Sequence, residues 1–503
     1  MLLRQLVDEK LAQYAYLIGC QATGEAVVID PERDVDRYLA AAEREGLRIT
    51  AVAETHIHAD FLSGARELAE RLDVALYLPA EGGPDWQVEW ARRPRAAGGA
   101  YRATFLRDGD TFRVGNIELR AVHTPGHTPE HVSYLVTDRG SGASDPIGIA
   151  TGDFVFVGDL GRPDLLEQAA GIQGVQESAA RTLHRSLPRF TALADHLQVW
   201  PGHGAGSACG KALGAVPVTT VGYEKRHNAA LDAAGLGEDA FVGAILSDQP
   251  EPPTYFARMK RDNRAGPKLL GRLPRPVRLA AQEVAARAAD PEIAVVDARL
   301  DRAAFMARHL PGSLFAPLDR SFNTVVGSLV EDAERPLLLV LDEEDVEQAV
   351  RDLVRIGHDR VVGFVDPQTL VRHWARGGAG ASIPVIDMET LHRVHTDPAH
   401  VIVDVRGAAE HRAGHVPGAV NVPHTRLPLL LDRIPRTGTL FVHCQGGGRS
   451  AVASAFLAAR GRHVVFVDGE WSRWLERGFP VEHAPGATDR TTTAPERAGA
   501  GAR

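Results

Sequence analysis

Residues 54–72 read ETHIHADFLSGARELAERL, and their first seven positions decide how the N-terminal half is understood. They follow the apolar run ITAVA (49–53), which suits a buried strand. His56, His58 and Asp60 then alternate through one short loop, so three side chains able to ligate a metal leave the strand end together. The remainder has helical spacing, with Ala65, Leu68, Ala69 and Leu72 on one face. A single His-x-His pair also serves as ordinary satisfied polar residues, so the loop gains meaning only from partners elsewhere.

Three later segments supply them. HTPGHTPEH (123–131) carries His127 in a Gly-His-Thr turn, and ATGDFVFVGDLGRPD (150–164) carries Asp153 after an apolar strand. VWPGHGAG (199–206) adds His203, again after a strand. Four ligand-bearing strand ends in this order predict a metal site. His123 and His131 are read as loop or supporting residues. Around them strands and helices alternate: EAVVID, DVDRYLAAAEREG, VALYLP, and a hairpin in DTFRVGNIELRAVHTPGHT with its turn at or near Gly115-Asn116.

The chain has 503 residues, which at roughly 150 residues per domain predicts about three domains. Its formal charge of −9 is spread without a long basic block, which argues against a nucleic-acid partner. The N-terminal MLLRQLVDEKLAQYAYLIG has early acidic residues and no sustained apolar core, so it does not read as a signal peptide. No segment reaches the roughly 18 apolar residues of a membrane span, and the expected location is cytoplasmic. Only Cys20, Cys209 and Cys444 occur, which points to individual thiol chemistry rather than a disulfide framework.

Composition divides the chain further. Residues 1–245 form the metal-bearing domain, and the Pro- and Arg-rich 246–279 reads as a linker. ARGGAGASIP marks another boundary near 377–384, and residues 485–503 are expected to be disordered. Between those boundaries lies a repeat. AVVDARLDRAAFMARHLPGSLFAPL from Ala294 matches VIVDVRGAAEHRAGHVPGAVNVPH from Val401. Each copy runs strand, Asp-x-Arg, helix, His-x-Pro-Gly, strand, giving domains at 280–376 and 384–484.

The second copy continues into TLFVHCQGGGRSAVASAFLAARG, an apolar strand, a glycine-rich loop from Cys444 to Arg449, and an amphipathic helix. Gln445, Gly446, Gly447, Gly448 and Ser450 can aim backbone amides inward, a cradle suited to a thiolate and to the persulfide formed on it. Arg449 adds positive charge at the rim. The first copy instead reads LLLVLDEEDVEQAV, with Asp342 at the cysteine position and Glu347 at the arginine position. That acidic loop has no nucleophile and predicts a catalytically silent copy. Cys209, near His203, is a candidate accessory thiol, and Cys20 is read as core.

The metal segments resemble the metallo-β-lactamase fold, and the resemblance covers residues 1–245. In dinuclear hydrolases of that fold the first loop ends in a further histidine, where Phe61 stands here with no lone pair to donate. A closer resemblance is to its persulfide dioxygenase branch. That branch implies one Fe(II) held by His56, His127 and Asp153, a two-histidine, one-carboxylate set with positions left for oxygen and substrate. His58, Asp60 and His203 become supporting groups or alternative ligands. Arg162, in TGDFVFVGDLGRPDLL, is implied as a contact for the substrate's carrier thiol.

The C-terminal copies resemble rhodanese, on Asp404, Arg406, GHVPGAVNVP and the Cys444 loop. The expected fold is thus an αββα sandwich followed by two rhodanese-like doubly wound α/β domains. The whole layout is similar to persulfide dioxygenase–sulfurtransferase fusions. That similarity implies oxidation of a thiol persulfide to sulfite with O2, sulfur exchange through Cys444 with sulfite or thiosulfate, no membrane or nucleic-acid partner, and a homo-oligomer. The competing expectation is a zinc thioester hydrolase similar to glyoxalase II; the direction of sulfur transfer stays open.

Overall fold

Two sheets of six strands face each other in the N-terminal region of the computed structural model, which describes residues 1–168 and 174–483. The first runs in order from β1 (Leu2–Asp8) through β2 (Gln13–Cys20), β3 (Glu25–Ile29), β4 (Arg48–Ala53) and β5 (Ala75–Pro79) to β6 (Arg102–Leu106). The second holds β7 (Thr111–Val114), β8 (Ile117–His123), β9 (Val132–Asp138), β10 (Gly148–Gly152), β11 (Gln198–Pro201) and β12 (Thr219–Thr220), again in sequential order. β3 to β6 pair in parallel, and β7 to β10 pair antiparallel, so the loops after β4 and β10 emerge at one edge of the sandwich.

Alternation explains the layering. Tyr16, Ile18, Val27, Ile29, Ala51 and Ala53 face Phe112, Leu119, Ala121, Val132, Tyr134 and Trp200 between the sheets. The opposite residues of the first sheet pack on Tyr38, Ala41, Ala65 and Leu68 of two covering helices, Asp36–Arg44 and Ala65–Leu72. Helix Gln176–Ser186 covers the other sheet through Ala180 and Leu183. The result is a four-layer αββα sandwich. Leu72, placed with the apolar face by its spacing, is 40% exposed because the helix ends there.

The stretch expected as a linker is not one. Residues 256–265 form a helix whose Phe256, Met259, Lys260 and Asn263 are buried, a stripe at i, i+3, i+4 and i+7. Tyr255, Phe256 and Met259 share a core with Ala59, Leu62 and Phe156 of the sandwich and with Ile356 beyond it. The helix therefore straps the loop after β4, and its apolar spacing outweighs the surrounding Pro and Arg residues.

Beyond the strap lies a four-stranded parallel sheet, β13 (Ala294–Asp297), β14 (Leu314–Phe315), β15 (Leu337–Val340) and β16 (Val361–Val365), in order β14-β13-β15-β16. It belongs to one unit with the sandwich, Met1–Ser382, and a second unit begins at Ile383. The second unit holds β17 (Val385–Ile386), β18 (His400–Asp404), β19 (Val420–Asn421), β20 (Thr439–His443) and β21 (Val464–Val467), in order β17-β21-β20-β18-β19. Without the added edge strand β17, the two parallel sheets share one strand order. No helix among the described residues is long and apolar enough to cross a membrane. The tail expected to be disordered lies outside the described residues.

Candidate functional site: a metal cluster and a thiol loop

The loops after β4, β8, β10 and β11 converge as their sequence order suggests. His56, His127 and Asp153 are buried, and one ligand atom of each lies within 4.8 Å of the others. Asp153 Oδ2 sits 3.5 Å from His127 Nε2 and 4.0 Å from His56 Nε2, with no hydrogen-bond partner of its own. Hydrogen bonds fix both ring tautomers. His127 Nδ1–H donates to the Arg162 carbonyl at 3.1 Å, leaving the Nε2 lone pair free. Thr55 Oγ1 donates to Asp30 Oδ2 at 2.8 Å, so it must accept from His56 Nδ1–H at 2.9 Å. Two free imidazole lone pairs and one orphaned carboxylate oxygen are the donor chemistry a small divalent metal takes.

Electrostatics agree with that reading. Burial drives the His56 pKa well below the ordinary histidine range, and burial lowers His127 to about 4, so both rings stay neutral. Burial opposes the charge on Asp153, but His203 and His127 hold its carboxyl well below the usual range. Gly152 of the TGD turn has φ +49°, and a Cβ there would meet Thr55 Oγ1 and His131 Nε2. His131 accepts from the Asp153 amide at 3.0 Å, and His123 binds the Pro129 carbonyl.

The other loop residues are arranged differently. His58 turns away, with Nε2 3.0 Å from Glu54 Oε2 and 3.2 Å from Asp30 Oδ1. His203 is held between two carboxylates, Nδ1 to Asp153 Oδ1 at 2.7 Å and Nε2 to Asp60 Oδ2 at 2.8 Å. Despite burial, those two carboxylates raise its pKa to about 10, so it carries a proton on each nitrogen. Phe61 is fully buried and packs on His58 at a tilt of 31°, with ring centroids 4.3 Å apart. Cys209 joins Asp60 and His203 in a second group whose ligand atoms lie within 4.8 Å; burial and the nearby Asp153 push its thiol pKa well up.

Arg162 departs from the contact expected of it. Its guanidinium is buried and already filled by Asp164, at 3.0 and 2.6 Å, and by the Ala208 carbonyl at 3.0 Å. What it offers the site is its carbonyl, which orients His127. Sequence reading passed over Asp30, Glu130, Lys260 and Asn263. Glu130 Oε1 accepts from the Ile57 amide, while Asn263 donates to the carbonyls of His58 and Phe61 and accepts from the Ser63 amide. The signal for the last two was a Lys and an Asn on the Phe256–Met259 stripe of a helix.

In the second unit, Cys444 directly follows β20 and is 1% exposed. Its sulfur accepts from the Ser450 amide at 3.3 Å and the Ser450 hydroxyl at 3.4 Å, an arrangement that suits a negative sulfur. Gly447, at φ +88°, lets the loop turn into the helix Gly448–Ala458, while Gln445, Gly446 and Gly448 are exposed. Arg449 forms a two-pronged ion pair with Glu410, at 2.6 and 2.8 Å, so its rim charge is offset. Below the loop Arg406 pairs with Asp404 and caps the Gly414 carbonyl.

Known proteins parallel this division. The metallo-beta-lactamase superfamily model matches residues 9–203, and the rhodanese-like domain model matches 387–477. The mitochondrial persulfide dioxygenase ETHE1 of Homo sapiens is 30% identical over 206 residues, 40% of this chain and 68% of that protein. A probable metallo-hydrolase of Burkholderia pseudomallei is 30% identical over 252 residues, 47% of this chain and 82% of that protein. A solved metallo-beta-lactamase structure from Staphylococcus aureus is 38% identical with TM-score 0.63, covering 73% of this chain and 99% of its own. With a sandwich edge that gathers His56, His127 and Asp153, and relatives matched over most of their length, the chain belongs to the metallo-beta-lactamase superfamily.

Proposed function

We propose that the chain oxidises a low-molecular-weight thiol persulfide to sulfite with O2 at a single Fe(II), and moves sulfane sulfur through a persulfide on Cys444. One persulfide, one O2 and one water then give one thiol, one sulfite and two protons. The observation that carries the single-metal reading is the contrast between donor sets. His56 Nε2, His127 Nε2 and Asp153 Oδ2 are free, whereas both nitrogens of His203 are taken by carboxylates and Phe61 supplies no lone pair. The similarity to a persulfide dioxygenase and the rhodanese-like domain support the sulfur chemistry.

Iron held by His56, His127 and Asp153 would supply the one-electron chemistry that joins sulfur to O2. The chain's own residues prepare the place. Asp30, through Thr55, holds His56 in the tautomer that leaves Nε2 bare. His203 keeps its proton on Nδ1 against Asp153 Oδ1, so Oδ2 is the oxygen that faces the imidazoles. Phe61, Phe156 and the strap helix keep water from the loop. In the second unit, Cys444 attacks the outer sulfur of thiosulfate and releases sulfite, and the new terminal sulfur takes the negative charge the thiolate gave up.

We read residues 280–376 as a second rhodanese copy that performs no chemistry. The shared strand order and the Asp297–Arg299 pair, at 2.7 Å, matching Asp404–Arg406, at 2.6 Å, support this. Metal content of protein purified without added metal tests the main reading. About one iron per chain is expected; zinc in its place, with hydrolysis of acyl-thiol esters, would turn the reading to a hydrolase.

A further inference from the structure

The strap helix Phe256–Ala265 lies outside both family matches, yet it buries a lysine against the sandwich. Lys260 is 7% exposed. Among the described residues its ammonium makes no hydrogen bond and no ion pair; its neighbour is the face of Trp86, 4.4 Å from the ring centroid. A cation–π contact returns about 0.5–2 kcal/mol, less than the several kcal/mol a buried ion loses in leaving water.

Its surroundings narrow what can neutralise it. The residues flanking Lys260 on the helix hold the metal loop: Met259 packs with Ala59 and Leu62, and Asn263 donates to the carbonyls of His58 and Phe61, so the Lys260 charge is felt at His56 and His127. Glu130 spends one oxygen on the Ile57 amide and its other oxygen is unpartnered. Burial raises the Glu130 pKa, which weakens it as a counter-ion. A positive charge resting on an indole face, on the helix that straps the metal loop, is therefore left for an anion to neutralise.

We propose that Lys260 and Trp86 form the seat for the negative sulfur end of the substrate, receiving the ionised persulfide on arrival and the oxygens of sulfite on departure. This deepens the proposed function and rests on it for the identity of the anion. Three N–H donors on a point charge suit a small anion of variable shape, and the indole keeps competing water from it. A neutral acyl-thiol ester gains nothing from such a seat.

Calorimetric titration of the full chain with sodium sulfite tests this, in a Cys444→Ser background and without metal. K260M is expected to raise the sulfite Kd at least tenfold, with K260R within threefold of Lys260. In oxygen uptake by the iron-loaded chain, K260M should raise the persulfide KM about tenfold and hold kcat within threefold. Should K260M not fold, K260Q removes the same charge with a polar side chain. Equal sulfite affinity with and without the Lys260 charge overturns the seat, as does a parent chain that binds no sulfite. The two readings separate: oxygen uptake with an unchanged KM in K260M removes the seat and leaves the oxygenase. Loss of sulfite binding in K260M from a chain that consumes no oxygen keeps the seat and removes the oxygenase.

Discussion

The two parallel sheets share a frame and differ at one loop. In both, Asp-x-Arg closes an ion pair, and the arginine caps a carbonyl farther on, Arg308 in one and Gly414 in the other. In both, a histidine binds the carbonyl four residues earlier, His309 to Phe305 and His415 to His411. After β20 the chain turns through glycines around a sulfur. After β15 it passes through exposed Asp342 into the helix Val346–Arg355, and that helix is spent on packing. Arg355 is clamped by Asp34 at 3.0 and 2.8 Å and Asp8 at 2.5 Å, Arg351 by Asp36, and Lys10 reaches Asp352. The Arg355 carbonyl accepts from the Leu62 amide, just beyond the metal loop. One frame has been used to hold a thiol, the other to hold a neighbouring domain.

The largest effect expected from that contrast is at the loop itself. Cys444→Ser should remove thiosulfate sulfur transfer to background. Asp342→Cys combined with Glu347→Arg should restore none in a Cys444→Ser chain, because the following helix is committed to the sandwich. Transfer by that graft would break the contrast. Next, Arg355→Met leaves Asp8 buried without its cation, while Asp34 keeps Arg351 and Glu32 keeps Arg37; breaking such a buried pair costs about 3–5 kcal/mol, read as a lower urea midpoint. Arg355 holds the Asp8 pKa below its ordinary value although burial opposes it. The Asp8 contribution is therefore complete above about pH 4 and fades as pH falls further. The penalty of Arg355→Met should shrink in that acid range.

The smallest effect belongs to a detail of the middle sheet. Asp366 accepts from the Thr369 amide at 3.0 Å, capping the helix Pro367–Ala375, and pairs with Arg278. Asp366→Ala should cost about 1 kcal/mol. Its pKa is lowered to about 2: burial opposes the charge, and the bonds from Thr369 and Arg278 outweigh it. The loss should therefore be full above pH 4 and vanish as pH falls through about 2, followed by thermal unfolding across pH. A pH-independent loss would show that packing, not the cap, is what the side chain supplies.

How far the molecule could be read from its residues differs between the two sites. The thiol loop is contiguous, so Cys444, the glycines and Ser450 announce themselves together, and Asp404-x-Arg406 marks its frame. The metal loop shows half of itself: His56, His127 and Asp153 follow strands, and strand ends at one sheet edge meet in space. What escaped was whatever depends on distant packing. The fork of Arg162 looked free because its partner, Asp164, is two residues away and its orientation is set only by burial. Lys260 and Asn263 were hidden in a segment rich in Pro and Arg, where the four inward positions of one helix carried the signal. Phe61 was legible as an absence of a lone pair, but the pairing of His203 with two carboxylates was not.

The central claim is that one oxygen-using metal site and one thiol work in the same chain as separate machines. Oxygen uptake with a small-thiol persulfide measures it directly, comparing the parent chain with Asp153→Ala and Cys444→Ser. Uptake should vanish in Asp153→Ala and persist in Cys444→Ser, with thiosulfate interconversion lost in the latter. A parent chain that consumes no oxygen yet hydrolyses acyl-thiol esters would contradict the account.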